Sequence, residues 1–143
     1  MGSVDGTQPV GRTLARQEST PFDDRLAPAI FKGGSDVQRY GQVIGIKPEH
    51  IEEYERLHRA AWPEVLAMIH ECNIRNYSIY RYDNLLFAYF EYVGDNFEAD
   101  SAKMAADPKT QEWWSICKPM QEPVPEAGPE EWWKTVPEVF HTD

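Results

Sequence analysis

The sequence predicts an α+β domain, an antiparallel sheet backed by helices, and three observations carry that reading. Two runs rich in β-branched and aromatic residues, 74–82 and 85–93, are joined by Asp83-Asn84, a link short enough to close a tight hairpin. An alternating run over 39–46 precedes a helical stretch, and a second helical region leads from the hairpin to a short apolar run near the C-terminus. The order is therefore β-α-β-β-α-β. With four strands antiparallel and the helices on one face, this is the ferredoxin-like arrangement.

Each element has a local cause. Residues 1–37 are rich in Gly, Ser, Thr, Pro, Gln and Asp and show no useful period, so they read as a flexible N-terminal extension, with the domain proper at 38–143. In the first strand Tyr40, Gln42, Ile44 and Ile46 share one face, and Lys47-Pro48-Glu49 turns the chain into a helix from about 49 to 60 with an acidic first turn. Pro63 cannot continue that helix; placed in a first turn it starts another, 64–71, whose inner face is Val65, Met68 and Ile69. After the hairpin, Asp95 is expected to cap a helix facing inward with Phe97, Ser101, Met104 and Ala105. Asp107-Pro108 then restarts the chain as cap plus first-turn proline, opening a short helix with Trp113 and Trp114. Residues 119–129, with Pro, Glu and Gly and no period, read as a loop, and 136–141 as a terminal strand beginning or edged at Pro137.

The second hairpin strand is apolar on both faces: Leu85, Phe87 and Tyr89 on one, Leu86, Ala88, Phe90 and Tyr92 on the other. A single layer of helices covers only one of them. A second copy of the chain is expected to cover the other, giving a homodimer with sheet against sheet.

Composition narrows the partners. A length of 143 residues suits one domain, and a net charge of −10, from 24 acidic against 14 basic residues, argues against nucleic acid and against an anionic membrane surface. No apolar run approaches the ~18 residues of a membrane span, and no secretory h-region opens the chain. Cys72 and Cys117 are too few and too isolated for a disulfide framework, which fits a cytoplasmic protein. Arg12 and Arg16 are accompanied by Asp5, Glu18, Asp23 and Asp24, too acidic a set for a transit peptide. Gly6 breaks the myristoylation pattern at the chain start, and the sequon at Asn76 falls in an expected strand.

Tyr54, His58 and Trp62 are spaced i, i+4, i+8, so they form one helical stripe that Pro63 terminates. His58 has two readings at this point: a helix histidine with one local hydrogen bond, or a general acid/base, since imidazole alone among side chains has both protonation states accessible near neutrality. Tyr54 is a packed core tyrosine or a group that orients the imidazole or a substrate hydroxyl; Trp62 reads as core. Trp113 and Trp114 lie about 100° apart on a helix, so they are either one core and one interface residue or an apolar wall for a flat ligand such as a sugar ring. Trp132 and Trp133 read as loop anchors. His50, His58, His70 and His141 have no metal-site spacing, and there is no phosphate loop or nucleophile elbow, so any chemistry is expected to need no metal and no cofactor.

Taken together, Tyr54-x-x-x-His58-x-x-x-Trp62-Pro63-Glu64, Asn76-Tyr77-Ser78-Ile79-Tyr80, Asn84-Leu85-Leu86-Phe87-Ala88, Trp113-Trp114 and Glu138-Val139-Phe140 resemble the L-rhamnose mutarotase family over about residues 39–141. The resemblance implies a dimeric α+β barrel and an isomerase that interconverts the α and β anomers of L-rhamnose without a cofactor. It implies His58 as proton donor, Tyr54 and Tyr77 as substrate-binding tyrosines, and Trp113 with Trp114 as the substrate-binding tryptophan pair; Tyr77 comes from the resemblance alone. Anomerisation requires a proton at the ring oxygen and the loss of another from the anomeric hydroxyl, and His58 is expected to handle the first. The competing classes are a non-catalytic stress-responsive or sugar-sensing barrel module and a cofactor-free oxygenase for aromatic substrates. The polar set of His58, Tyr54 and Tyr77 favours a monosaccharide over the latter.

Overall fold

A computed structural model describes residues 37–143; the expected extension lies, up to residue 36, outside the described residues. The chain runs β1 (Gln38–Ile46), α1 (Ile51–Arg59), α2 (Pro63–Glu71), β2 (Ile74–Tyr82), β3 (Leu85–Tyr92), α3 (Phe97–Ala106), α4 (Pro108–Cys117), β4 (Gln121–Glu122) and β5 (Lys134–Val136). Single 3₁₀ turns at Pro48–His50 and Lys118–Met120 lead into α1 and β4. The sheet is antiparallel throughout, in the order β2-β3-β1-β4, with β5 also pairing β1. This is the expected α+β architecture, with the last strand position filled by two short pieces on one edge of β1. Among the described residues no helix is long and apolar enough to cross a membrane.

The alternation in β1 and β3 decides which face the helices cover. Tyr40, Gln42, Ile44 and Ile46 of β1 and Leu86, Ala88, Phe90 and Tyr92 of β3 are buried beneath the helices. On the opposite face Phe87 is 42% exposed, and β2 adds Tyr80 and Tyr82 at 65% and 73%. Of the outer set anticipated from the sequence, Leu85, Phe87 and Tyr89, only Phe87 is exposed while the other two are half-buried, and Tyr80 and Tyr82 of β2 extend the uncovered surface.

Proline and cap chemistry set the helix boundaries. α1 stops at Arg59; Trp62 then adopts extended backbone as N-cap, and Pro63 occupies the first turn of α2, where its missing amide proton is not needed. Asp107 caps α4 through Thr110 N at 2.9 Å, as expected. The α3 cap is Asn96 instead of Asp95: its side chain accepts from Ala99 N at 3.0 Å, and its own amide donates to the Tyr92 hydroxyl at 2.9 Å. Two tethers thus hold Asn96 at the position from which a short polar side chain reaches the third helical amide.

Two further expectations at the C-terminus need correcting. The terminal strand is Lys134–Val136, not 136–141, because Pro137 has no amide proton to extend the ladder with β1. Beyond it the chain is tied to β1 by an ion pair between Glu138 and Arg39 at 2.9 Å, and Val139 and Phe140 are exposed. The expected loop over 119–129 contains β4, whose Gln121 and Glu122 pair Ile46 and Gly45. Gly45 permits that approach, since a Cβ there would stand 2.7 Å from the Glu122 carbonyl oxygen.

The hairpin closes as the sequence indicates, with Tyr82 paired to Leu85 and Asp83 at φ 54°. Nearer its start β2 carries a bulge. Arg75 pairs Glu91 and Ser78 pairs Tyr89, so Asn76 and Tyr77 together oppose Phe90 alone. Asn76 takes the left-handed conformation, φ 50°, which asparagine tolerates better than most residues, and its amide donates to Glu91 at 2.6 Å. The extra residue reverses the side-chain parity of the strand. Ile74 faces the helices before it; Tyr77 and Ile79 face them after it.

Candidate active site

Between the helices and the inner sheet face lies a cavity of about 310 Å³. That is at the small end of ligand pockets, which run ~300–1,000 Å³, and suits a ligand of monosaccharide size. His58, Tyr54, Tyr77, Trp113 and Trp114, which come from three different elements, all line it. Tyr54, His58 and Ile79 also border a second recess of about 290 Å³, edged by the charged side chains of Glu55, Arg59 and Arg81. Only the first recess gathers all five residues.

Helical spacing builds the α1 side. His58 lies one turn after Tyr54, and its Nδ1 is 2.7 Å from the Tyr54 main-chain oxygen. A carbonyl only accepts, so Nδ1 carries a proton in either charge state and Nε2 is the nitrogen that titrates. The imidazole is stacked on the Tyr54 ring with centroids 4.0 Å apart and meets Trp113 edge-on at 5.1 Å. Burial in this aromatic slot lowers the His58 pKa below its ordinary value near 6.5, partly offset by the bond to the Tyr54 carbonyl. The group is therefore mostly neutral at pH 7.

Trp113 is buried and Trp114 half-buried, and Trp113 also takes the edge of Trp62 at 5.2 Å. Trp62 serves as packing behind the site, as its place in the stripe suggested. Although they are neighbours on α4, both tryptophans line the cavity. Lys118 lines the same space with its ammonium 5.4 Å from the Trp114 ring centroid.

Tyr77 enters because of the bulge. Burial pushes its phenol up to about 12, and the Tyr54 phenol higher still, with the neighbouring Tyr77 adding to the effect. Both stay protonated at neutral pH and act as neutral hydrogen-bonding hydroxyls. Burial likewise pushes the Cys117 thiol up to about 12, which leaves it without thiolate character and unsuited to nucleophilic attack.

Among the cavity residues that were not selected from the sequence for the site are Gln121, Trp132 and Trp133. Trp133 is buried, so the tryptophan pair does anchor its segment, yet both members also wall the cavity. Trp132 Nε1 donates to Gln121 Oε1 at 2.8 Å, and Gln121 Nε2 donates to the Tyr54 hydroxyl at 3.1 Å. The available signal was chemical, since a half-buried indole seeks an acceptor and a polar residue of the neighbouring loop supplies it here. Among the described residues no group of three or more His, Cys, Asp or Glu could hold a metal ion.

The arrangement offers a titratable imidazole, two protonated phenols and aromatic walls, a set suited to moving protons on a small polyol. Comparison with known proteins agrees in kind. The family model described as L-rhamnose mutarotase matches residues 39–142. An L-rhamnose mutarotase of Phocaeicola vulgatus is 37% identical over 100 residues, covering 68% of this chain and 91% of that protein. One from Oceanobacillus iheyensis is 33% identical over 109 residues, covering 75% of this chain and all of that protein. The crystal structure of an L-rhamnose mutarotase from Formosa agariphila superposes with a TM-score of 0.56 at 20% identity, over 74% of this chain and 99% of that one, and so shares the fold.

Proposed function

Because the chain belongs to the L-rhamnose mutarotase family, we propose that it interconverts sugar anomers, most directly those of L-rhamnose, by opening and reclosing the pyranose ring. The observation that carries the assignment of residues is the convergence of His58, Tyr54 and Tyr77 with Trp113 and Trp114 on one cavity of monosaccharide size. Family membership favours this over the non-catalytic sensing module.

His58 serves the ring-oxygen proton. Imidazolium delivers it from Nε2 as the bond from the anomeric carbon to the ring oxygen breaks, and the neutral ring takes it back when the hydroxyl recloses on the other face of the aldehyde. The permanently protonated Nδ1 keeps the titrating nitrogen distinct. A lowered pKa makes the imidazolium a stronger acid although a scarcer one, and a shuttle uses both forms in each turnover. The phenols of Tyr54 and Tyr77 bind sugar oxygens, and the anomeric hydroxyl proton leaves to solvent either directly through a bound water or through one of these hydroxyls, which gives up its own proton to water as it takes the sugar's. Trp113 and Trp114 cover the C–H face and the C6 methyl of the sugar, a preference over a hydroxymethyl worth only ~1–3 kcal/mol.

The exposed Phe87, Tyr80 and Tyr82 support a homodimer in which two sheets cover one another. Cys72 and Cys117, buried and unpaired with each other, are consistent with a cytoplasmic setting. Exchange NMR on equilibrated L-rhamnose tests the reading: the wild type accelerates exchange between the anomeric resonances and His58→Ala loses most of that acceleration, about 10²–10⁴-fold. No acceleration by the wild type, or undiminished acceleration by His58→Ala, refutes it. L-fucose, L-lyxose and L-mannose in the same assay define the sugar preference.

A further inference from the structure

Gln121 has no place in the chemistry described so far, yet it is a buried polar residue, 6% exposed, that touches a phenol of the site. Its orientation is not arbitrary. An indole nitrogen only donates, so the 2.8 Å contact from Trp132 Nε1 must be received by the amide oxygen. That places the amide nitrogen against Tyr54, at 3.1 Å, and an NH₂ group only donates. The Tyr54 hydroxyl is thereby the acceptor in this bond. Its own proton points to a different partner, and the cavity that Tyr54 lines is where a ligand oxygen would stand.

We propose that Gln121, locked by Trp132, is a positioning residue that makes Tyr54 a hydrogen-bond donor to the bound sugar. The inference rests on the mutarotase reading for the identity of the ligand, and on the direction of two hydrogen bonds for the role. The strongly raised pKa of Tyr54 agrees with it, since a phenol held protonated cannot serve as a plain acceptor anion. The device draws on two separate segments. Gln121 comes from β4, held in place because Gly45 lets that strand close on β1, and Trp132 comes from the segment just before β5.

A near-isosteric change reverses the polarity. In Gln121→Glu the ionised carboxylate accepts from Trp132 and from Tyr54 together, so the Tyr54 proton turns away from the sugar. On acidification the carboxyl gains a proton to donate back, and Tyr54 again faces the sugar as a donor. The expected result is an anomer-exchange kcat at pH 8 at least tenfold below wild type, with the ratio of variant to wild-type rate climbing as pH falls towards 5. In a Tyr54→Phe background the Gln121→Glu change adds less than twofold, because the group through which it acts is gone. Gln121→Leu moves the Trp132 indole Nε1–H resonance upfield in ¹H–¹⁵N spectra, whereas Gln121→Glu keeps it hydrogen-bonded; the dispersion of the same spectra reports folding.

A pH-independent rate ratio, an undiminished effect in the Tyr54→Phe background, or a Trp132 resonance unmoved by Gln121→Leu overturns the positioning role and leaves the mutarotase reading in place. Should the wild type accelerate exchange of no sugar, that reading fails instead. The lock is then judged by the Trp132 resonance, which needs no activity.

Discussion

The Nδ1 proton of His58 is held by the main-chain oxygen of Tyr54 at 2.7 Å, one helical turn back along α1. The bond fixes the tautomer and orients the ring, while the aromatic slot around it lowers the pKa. If His58 delivers the ring-oxygen proton from its charged form, kcat/KM is lost as pH rises through that lowered pKa and is full below it. The limb therefore falls at a pH under the 6.5 of a free imidazole. Anomer exchange measured from pH 5 to 8.5, corrected for the solvent rate, reports this. A rate that instead rises with pH through the same window would reassign His58 to the anomeric hydroxyl. Folding stability moves the opposite way. The unfolded chain binds this proton more tightly than the native one, so acidification from 6.5 down through the lowered value costs stability.

The bulge at Asn76 makes a second prediction. Its φ of 50° is strained for a β-branched side chain, by ~1–2 kcal/mol for L-residues in this region. Asn76→Val is expected to lower the stability measured in urea by about that amount, plus the contribution of the lost bond to Glu91. Asn76→Gly loses the bond but not the backbone fit, so it is the milder change. Deleting Asn76 is different in kind: it removes the extra residue, Tyr77 then follows Ile74 by two positions and stays on the inner face opposite Phe90, and affinity for L-rhamnose is kept wherever the protein folds.

That contrast shows what local pattern reveals and what it does not. The α1 stripe was legible because Tyr54, His58 and Trp62 repeat at the helical spacing, and the α2 restart because proline has a definite place in a first turn. Tyr77 was not legible from alternation. Counted from Ile74 it belongs on the outer face, and only the two-against-one pairing at Phe90 turns it inward. Gln121 and the wall role of Trp132 were hidden for another reason. Gln121 lies inside the Pro-rich stretch without period and Trp132 just beyond it, so no spacing rule connects them. Pro137 ended β5 earlier than its apolar neighbours suggested, since ladder formation depends on an amide proton and not on hydrophobicity.

The outer sheet face predicts an assembly state. Phe87 is 42% exposed, at the centre of β3 and paired across to Tyr80, which is 65% exposed. Phe87→Lys places a charge in the proposed contact between two sheets, where it would be desolvated without a partner. Sedimentation velocity is expected to show a dimer for the wild type and a monomer for the variant. A wild-type monomer at tens of micromolar would dispose of the proposed dimer.

Gly45 and Gly41 lie on the same strand and make opposite predictions. At Gly41 a Cβ would meet the Val136 side chain at 3.4 Å, the edge of ordinary contact and one that a side chain can relieve. At Gly45 the nearest atom would be the Glu122 carbonyl oxygen at 2.7 Å, a backbone atom engaged in pairing β4 to β1. Gly41→Ala should therefore leave exchange activity within about twofold and cost well under 1 kcal/mol, in line with surface substitutions away from special features. Gly45→Ala must displace β4. Because β4 carries Gln121, the displacement withdraws the amide from Tyr54, and activity falls by more than the fraction of protein that unfolds. The separating measurement is activity per folded molecule, with folding read from urea melts of each variant. Equal specific activities for the two variants would show that β4 does not need its close approach to β1 to serve the site.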